Sequence, residues 1–236
     1  MRQRFEDDDR FIVLDDFLPG RVVEALVYDV ECTRDDINRN YVPRQKKGGS
    51  VSRFALDRIG SGAAGIYGSA VMRHFIETIV GESVEDCPVD DPHTYALYHY
   101  SEPGDHIGWH FDTSFYRGRR YTLLLGLVSN ESCVLECELH KRDTRRVNER
   151  RAYRLAPGSL ALFDGDRLWH RVTPLGEHDG ERVILTMEMV TDPTMNPWRR
   201  LISKVKDSVA YFGFRDSFRP GRRGEAGGSP LLRGDP

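Results

Sequence analysis

No stretch of this chain approaches the about 20 consecutive apolar residues needed to span a bilayer. Cysteine is scarce, with four in 236 residues. Cys133 and Cys137 stand close together, but no second pair follows at zinc-site spacing, so the thiols read as reduced and buried. Excess charge of one sign is missing as well. The net charge of −3 gives no basis for a nucleic-acid binder that works by bulk positive charge. Residues Met1 to Arg10 are charged and lack the apolar stretch of a secretory leader. No internal repeat is visible. The expected setting is the cytoplasm, with neither a nucleic acid nor a membrane as partner.

What is present fits one globular domain: 39% apolar and 30% charged residues in a length that supports a single substantial core. Residues 1–10 are expected to be flexible, 11–214 to form the domain, and 215–236, rich in Gly, Pro, Arg and Ser, to be disordered. Residues 11–18 (FIVLDDFL) read as a strand running into a turn at Pro19-Gly20. Val22, Val23, Leu26, Val27 and Val30 then mark one face of a helix ending near Thr33. The polar segment 34–61, broken by Gly48-Gly49 and Gly60, reads as a long functional loop or lid. A second helix is expected over about 62–80, burying Ile66, Ala70, Phe75 and Ile79. After Pro92 the pattern changes. Short β-branched or aromatic stretches at 95–100, 121–128, 134–139, 159–163, 169–173 and 182–190 read as strands of a sandwich or barrel with helices packed on one face. Trp198, Leu201, Ile202, Val205, Val209 and Phe212 have the spacing of a C-terminal helix that either covers the barrel or builds a homodimer contact.

The sharpest local feature is Trp109-His110-Phe111-Asp112-Thr113. Alternate residues of an extended strand share a face, so His110 and Asp112 can present an imidazole and a carboxylate side by side. His170, on a later strand beyond a turn at Gly165-Asp166, supplies a third donor. Two histidines and one carboxylate make the facial triad that leaves positions open on non-heme iron(II). His-x-Asp by itself also occurs in ordinary β cores. The order His-x-Asp, strands, His, and then Arg182 opening the strand RVILTMEMV is what carries the reading. An arginine at that place offers a fork that matches a carboxylate.

With those residues in view, 95–191 resembles the double-stranded β-helix (jelly-roll, cupin-like) core of the 2-oxoglutarate/iron(II) oxygenases. The nearer likeness is to the prolyl-4-hydroxylase-like branch and its small-molecule members, including free-amino-acid hydroxylases and halogenases. FIVLDDFLPG, GWHFDTSFY, APGSLALFDGDRLWHRVTPLGE and RVILTMEMV carry the likeness. It implies a mainly β (α+β) fold with supporting N-terminal helices and a C-terminal helix. It implies His110, Asp112 and His170 as iron ligands, Arg182 as the residue on the 2-oxoglutarate carboxylate, and Tyr100 or Tyr98 beside that cosubstrate. Thr122 is expected to face the cavity with Leu124. Two departures stand out. Ile184 occupies the place where many relatives carry serine or threonine, and Asn130-Glu131-Ser132-Cys133 replaces a common Gly-Gly turn.

The implied activity uses iron(II), 2-oxoglutarate and O2 and releases succinate and CO2. Radical halogenases of this superfamily put a small residue where Asp112 stands, so hydroxylation is the expectation, with desaturation and cyclisation left open by the sequence. Trp109 and Trp169 should face away from the ligands into the core, and Arg171 should form an ion pair. Glu188 shares a strand face with Arg182 and reads equally as a cation-binding group or an exposed strand end. Arg44, Lys46, Lys47 and Arg53 read either as solvated loop charge or as a lid meeting an anionic or carrier-bound substrate. The lack of an added recognition domain favours a small-molecule substrate, such as an amino acid or a natural-product intermediate. A protein or peptide hydroxylase with a long open groove, and a non-catalytic metal-binding interaction protein, are the competing expectations.

Overall fold

The computed structural model describes residues 1–196 and Trp198. The expected C-terminal helix, its dimer contact and the 215–236 tail lie outside the described residues. In chain order the elements are α1 (Arg2–Asp7), β1 (Phe11–Leu14), α2 (Gly20–Cys32), β2 (Asn38–Val42), β3 (Lys46–Val51) and α3 (Arg53–Ile59). They continue with α4 (Gly62–Tyr67), α5 (Ala70–Val80), β4 (Glu85–Asp86), β5 (Tyr95–Tyr100), β6 (His106–His110) and β7 (Arg120–Val128). Last come β8 (Leu135–Leu139), β9 (Glu149–Tyr153), β10 (Leu160–Asp164), β11 (Trp169–Val172) and β12 (Arg182–Val190). Among the described residues no helix is long and apolar enough to cross a membrane.

The strands form one curled antiparallel sheet in the order β1-β10-β7-β12-β5-β3-β6-β11-β8-β9, with β2 on β3 and β4 on β12. Alternation along the central strands decides what each face does. On β12, Val183, Leu185, Met187 and Met189 turn to the helices, where they join Leu123, Leu125, Leu26, Ile76 and Ile79 in the main core. Arg182, Ile184, Thr186 and Glu188 turn the other way and line a cavity inside the curl. With both faces covered, every residue of β12 is buried, which is why its sequence carries no simple apolar-polar alternation. Each leucine or isoleucine so buried contributes about 1.5–3 kcal/mol.

Several expectations change. The first ten residues are not simply a loose end, since Arg2–Asp7 is helical and its Phe5 is 0% exposed. The helix expected over 62–80 is two helices, because the Ser69 hydroxyl accepts the Met72 amide and starts α5 afresh after Gly68. Ala70 is exposed, while Ala63, Tyr67, Met72, Ile76 and Ile79 are buried. The segment 34–61 is no lid. It holds the β2–β3 hairpin and α3, and β3 is spliced between β5 and β6. Gly48 and Gly49 do not break this strand; they let it approach. A Cβ at Gly49 would lie 2.5 Å from Ile37 Cγ2 and 3.3 Å from His99 Cβ. Of the four basic residues there, Lys46 is buried with its ammonium over the Tyr98 ring, Lys47 pairs with Glu102 and Asp105, and Arg53 pairs with Asp57. Arg44 takes the left-handed turn position at φ 64°. Cys32 is exposed, whereas Cys87, Cys133 and Cys137 are buried thiols as expected.

His99 pairs with Gly49 across β5 and β3, is fully buried, and has no hydrogen-bond partner at either ring nitrogen. Burial drives its pKa down to about 4, with Glu181 opposing. The folded state therefore binds fewer protons here than the unfolded chain. The associated stability is complete above about 6.5 and is lost as pH falls toward about 4. The expected cost is up to about 1.4 kcal/mol per pH unit in that window. Urea unfolding at pH 7 and pH 5 should show His99→Leu losing less stability than the parent; equal losses would remove His99 as the source.

Candidate active site

The triad assembles where β6 and β11 pair. His110 and His170 stand opposite each other in the antiparallel register, with ring centroids 4.2 Å apart. His110 is the last residue of β6, so Asp112 lies just past the strand and not within it as expected. It still folds back on both rings: Asp112 Oδ1 is 3.3 Å from His110 Nε2, and Oδ2 is 3.8 Å from His170 Nε2. A ligand atom from each residue lies within 4.8 Å of the others.

The second ring nitrogens fix which atom faces the centre. His110 Nδ1 donates to the Gly108 carbonyl at 2.8 Å, and His170 Nδ1 to the Leu168 carbonyl at 3.1 Å. A carbonyl can only accept, so Nδ1 carries the proton and the Nε2 lone pair is free to ligate. Burial, then the neighbouring His110, lowers His170 to about 4, which keeps it neutral. Burial alone would raise Asp112, but His170 and His110 outweigh it and hold the carboxyl well below its usual range. Two imidazoles with Nε2 turned inward and one ionised carboxylate on one side of a centre fit iron(II) with positions left open.

Asp112 is braced by residues on two other elements. Thr122, which faces the cavity as expected, donates its hydroxyl to Asp112 Oδ2 at 3.0 Å. The turn after β10 presses on its backbone: a Cβ at Gly165 would lie 2.7 Å from the Asp112 carbonyl oxygen. Phe111 packs against Trp169 and under the Arg142 guanidinium. Trp109 and Trp169 do turn away from the ligands, but not into a core. They stack on each other half-exposed, 6.2 Å apart and 8° from parallel, with the Arg150 and Arg171 guanidinium groups against the Trp109 ring. Arg171 also makes the expected ion pair, with Glu136 at 2.8 Å.

The cavity holds about 300 Å³. At one end Arg182, 2% exposed, pairs with Tyr100 across β12 and β5, its guanidinium 5.0 Å from the ring centre. Arg182 Nη1 is buried with no hydrogen-bond partner. A buried cation with an open N–H needs an anion, and the distal carboxylate of 2-oxoglutarate meets that need. Tyr98 and Tyr100 both line the cavity. Tyr100 is the one against Arg182, while Tyr98 meets His93 Nδ1 at 3.2 Å. At the opposite end Glu188 is buried, not an exposed strand end, and pairs with Arg120 at 2.8 Å. Arg120, Asp91 and Tyr116 were not singled out from the sequence. Their cavity position comes from contacts between distant segments, and no local motif announces it.

A family model described as Halogenase D matches residues 1–117, which include His110 and Asp112 but neither His170 nor Arg182. No curated protein matches the sequence. Among solved structures, a prolyl-4-hydroxylase from Pseudomonas putida is similar at TM-score 0.57 and 17% identity, covering 80% of this chain and 95% of that one. The non-heme alpha ketoglutarate dependent epimerase SnoN from nogalamycin biosynthesis is similar at TM-score 0.64 and 12% identity, covering 80% of each chain. EctD from S. alaskensis, solved with 2-oxoglutarate and 5-hydroxyectoine, is similar at TM-score 0.60 and 16% identity, covering 80% of this chain and 74% of that one. At these identities the likeness shows the fold.

Because Gly165 touches the backbone of a ligand without being one, Gly165→Ala is expected to weaken iron(II) binding roughly tenfold or more while the fold survives. Anaerobic iron(II) titration with far-UV circular dichroism would check this. Unchanged affinity would mean that the turn does not brace Asp112.

Proposed function

We propose that this chain, by its fold and His-Asp-His triad a member of the 2-oxoglutarate/iron(II) oxygenase superfamily, hydroxylates an unactivated C–H bond of a small molecule. The observation that carries the reading is one cavity lined both by His110, Asp112 and His170 and by Arg182, whose buried Nη1 has no partner. Its volume of about 300 Å³ falls in the range of small-ligand pockets, and this supports a small molecule over a peptide lying in a groove.

When bound, iron(II) with 2-oxoglutarate and O2 supplies the oxidation, with succinate and CO2 as by-products. The protein's own part is orientation and dryness. His110, Asp112 and His170 hold one side of the metal, and Thr122 fixes the direction of the Asp112 carboxylate. Arg182 and Tyr100 take the far carboxylate of the cosubstrate. Leu124, Leu135, Val172 and Ile184 supply the apolar part of the cavity lining.

Halogenation is the second reading, favoured by the Halogenase D match over residues 1–117. Asp112 argues against it: its carboxylate fills the place a halide would need, and it is hydrogen-bonded into that place by Thr122. The similar structures include a prolyl hydroxylase and an epimerase. The fold therefore supports more than one outcome; Asp112 weighs against halogenation, and hydroxylation is the reading proposed among the rest.

Anaerobic addition of iron(II) and 2-oxoglutarate should give a weak visible charge-transfer band. Asp112→Ala should lose it. Arg182→Ala should need roughly 10–100 times more 2-oxoglutarate to produce it, the worth of a charge-assisted hydrogen bond. A folded parent protein with no band would sink the oxygenase reading and bring the interaction-protein reading forward.

A further inference from the structure

The cavity end away from Arg182 carries a polar cluster that the chemistry above does not use. Glu188 is 3% exposed and lines the cavity. Its Oε1 meets Arg120 Nη2 at 2.8 Å, but its Oε2 is buried with no hydrogen-bond partner. Asp91 stands beside it, accepting the His93 amide at 2.8 Å on one oxygen and the Tyr116 hydroxyl on the other. Cys87 completes a group whose nearest side-chain atoms lie within 4.8 Å of one another.

That spacing would suit a metal ion, yet the chemistry of the three groups does not. The Arg120 guanidinium already sits against Glu188. The Cys87 thiol donates to the Glu188 carbonyl oxygen at 3.4 Å, and burial pushes its pKa well up, so it keeps its proton and is no thiolate ligand. What remains is two carboxylates against the Arg120 guanidinium, with His93 nearby, and Glu188 Oε2 and Arg120 Nε both buried without a partner on residues that line the cavity. A buried carboxylate oxygen without a donor is costly, and burial raises Glu188 to about 7 despite Arg120. A protonated amine brings one positive charge and several N–H donors, which is the complement this end lacks.

We infer that this end of the cavity receives a protonated amine of the substrate, with Glu188 as its main acceptor and Asp91 beside it. The inference rests on the small-molecule oxygenase reading and names the substrate class for it. Strand register sets the distance to the reacting centre. Glu188 pairs directly with Thr122 across β12 and β7, and Thr122 holds Asp112. Residues opposite each other in such a pair are about 5 Å apart. An amine docked on Glu188 therefore presents a carbon only a few bonds from its nitrogen to the metal. Arg182 lies on the same face of β12, about 20 Å along the strand at its ordinary rise, so cosubstrate and amine do not compete for one anchor.

The test uses three probes of equal chain length, hexylamine, hexanol and hexanoate, against the anaerobic iron(II)/2-oxoglutarate protein. Binding is followed by the change in the visible band and by the thermal midpoint. Hexylamine should bind at least tenfold more tightly than the other two, and Glu188→Gln, of nearly the same size, should abolish that preference. Equal binding of the three probes, or a preference that survives Glu188→Gln, overturns the inference. Zinc(II) dialysis of metal-free protein separates the remaining alternative. One ion per chain is expected, and a second ion lost in Glu188→Gln would assign the cluster to a metal and overturn the amine. Failure of the parent reading looks different, because the band itself would be missing while the amine preference stays measurable by thermal midpoint in the metal-free protein.

Discussion

The antiparallel pairing of β6 with β11 is the constraint from which the site follows. It sets His110 against His170, and the carbonyls of Gly108 and Leu168, two residues before each ring, fix both imidazoles with Nε2 inward. A one-residue slip would turn one ring to the opposite face of the sheet. Asp112 needs no strand of its own once the rings are set. Thr122 and the turn at Gly165 hold it against them from the other side of the curl.

The same economy governs β12. Its odd-numbered residues close the helix-side core, and its even-numbered ones furnish the cavity with a cation at one end, an anion at the other, and Ile184 and Thr186 between. Charge is thus distributed along a single strand face. Each terminal charge is buried with an atom left open, Nη1 of Arg182 and Oε2 of Glu188. Buried polar groups in that condition are costly in a protein that binds nothing, and reasonable in one whose ligands complete them.

How much of this could be read from the sequence depended on range. His110, Asp112, His170 and Arg182 were legible from their order along the chain, although Asp112 falls just past the strand in which its i, i+2 spacing from His110 had placed it. Most strands from 95 onward were legible as short β-branched or aromatic stretches, but β9 (Glu149–Tyr153), which is rich in charge, was not. The hairpin over 38–51 was not, because Gly48 and Gly49 look like breakers until the close approach of Ile37 and His99 is known. Glu188 was noticed, but its burial against Arg120 depends on pairing between β12 and β7, which no local spacing encodes. Trp109 and Trp169 misled in another way. Large aromatic residues suggested interior packing, and they stack instead on an outer surface covered by arginine side chains.

The splice of β3 between β5 and β6 bears on how the chain assembles. β5 and β6 reach their other partners, β12 and β11, only through segments more than fifty residues further along. The hairpin of β2 and β3 precedes them and is closer in sequence to β5 than β12 is, so the loop it closes onto β5 carries the smaller entropy penalty, while its separation from β6 is about that of β11. It can pair with both strands while β11 and β12 are still unplaced, covering edges that would otherwise recruit another chain. A segment whose glycines and charges suggest a flap is positioned to act as a folding template for β5, and it then offers its other edge to the strand that carries His110.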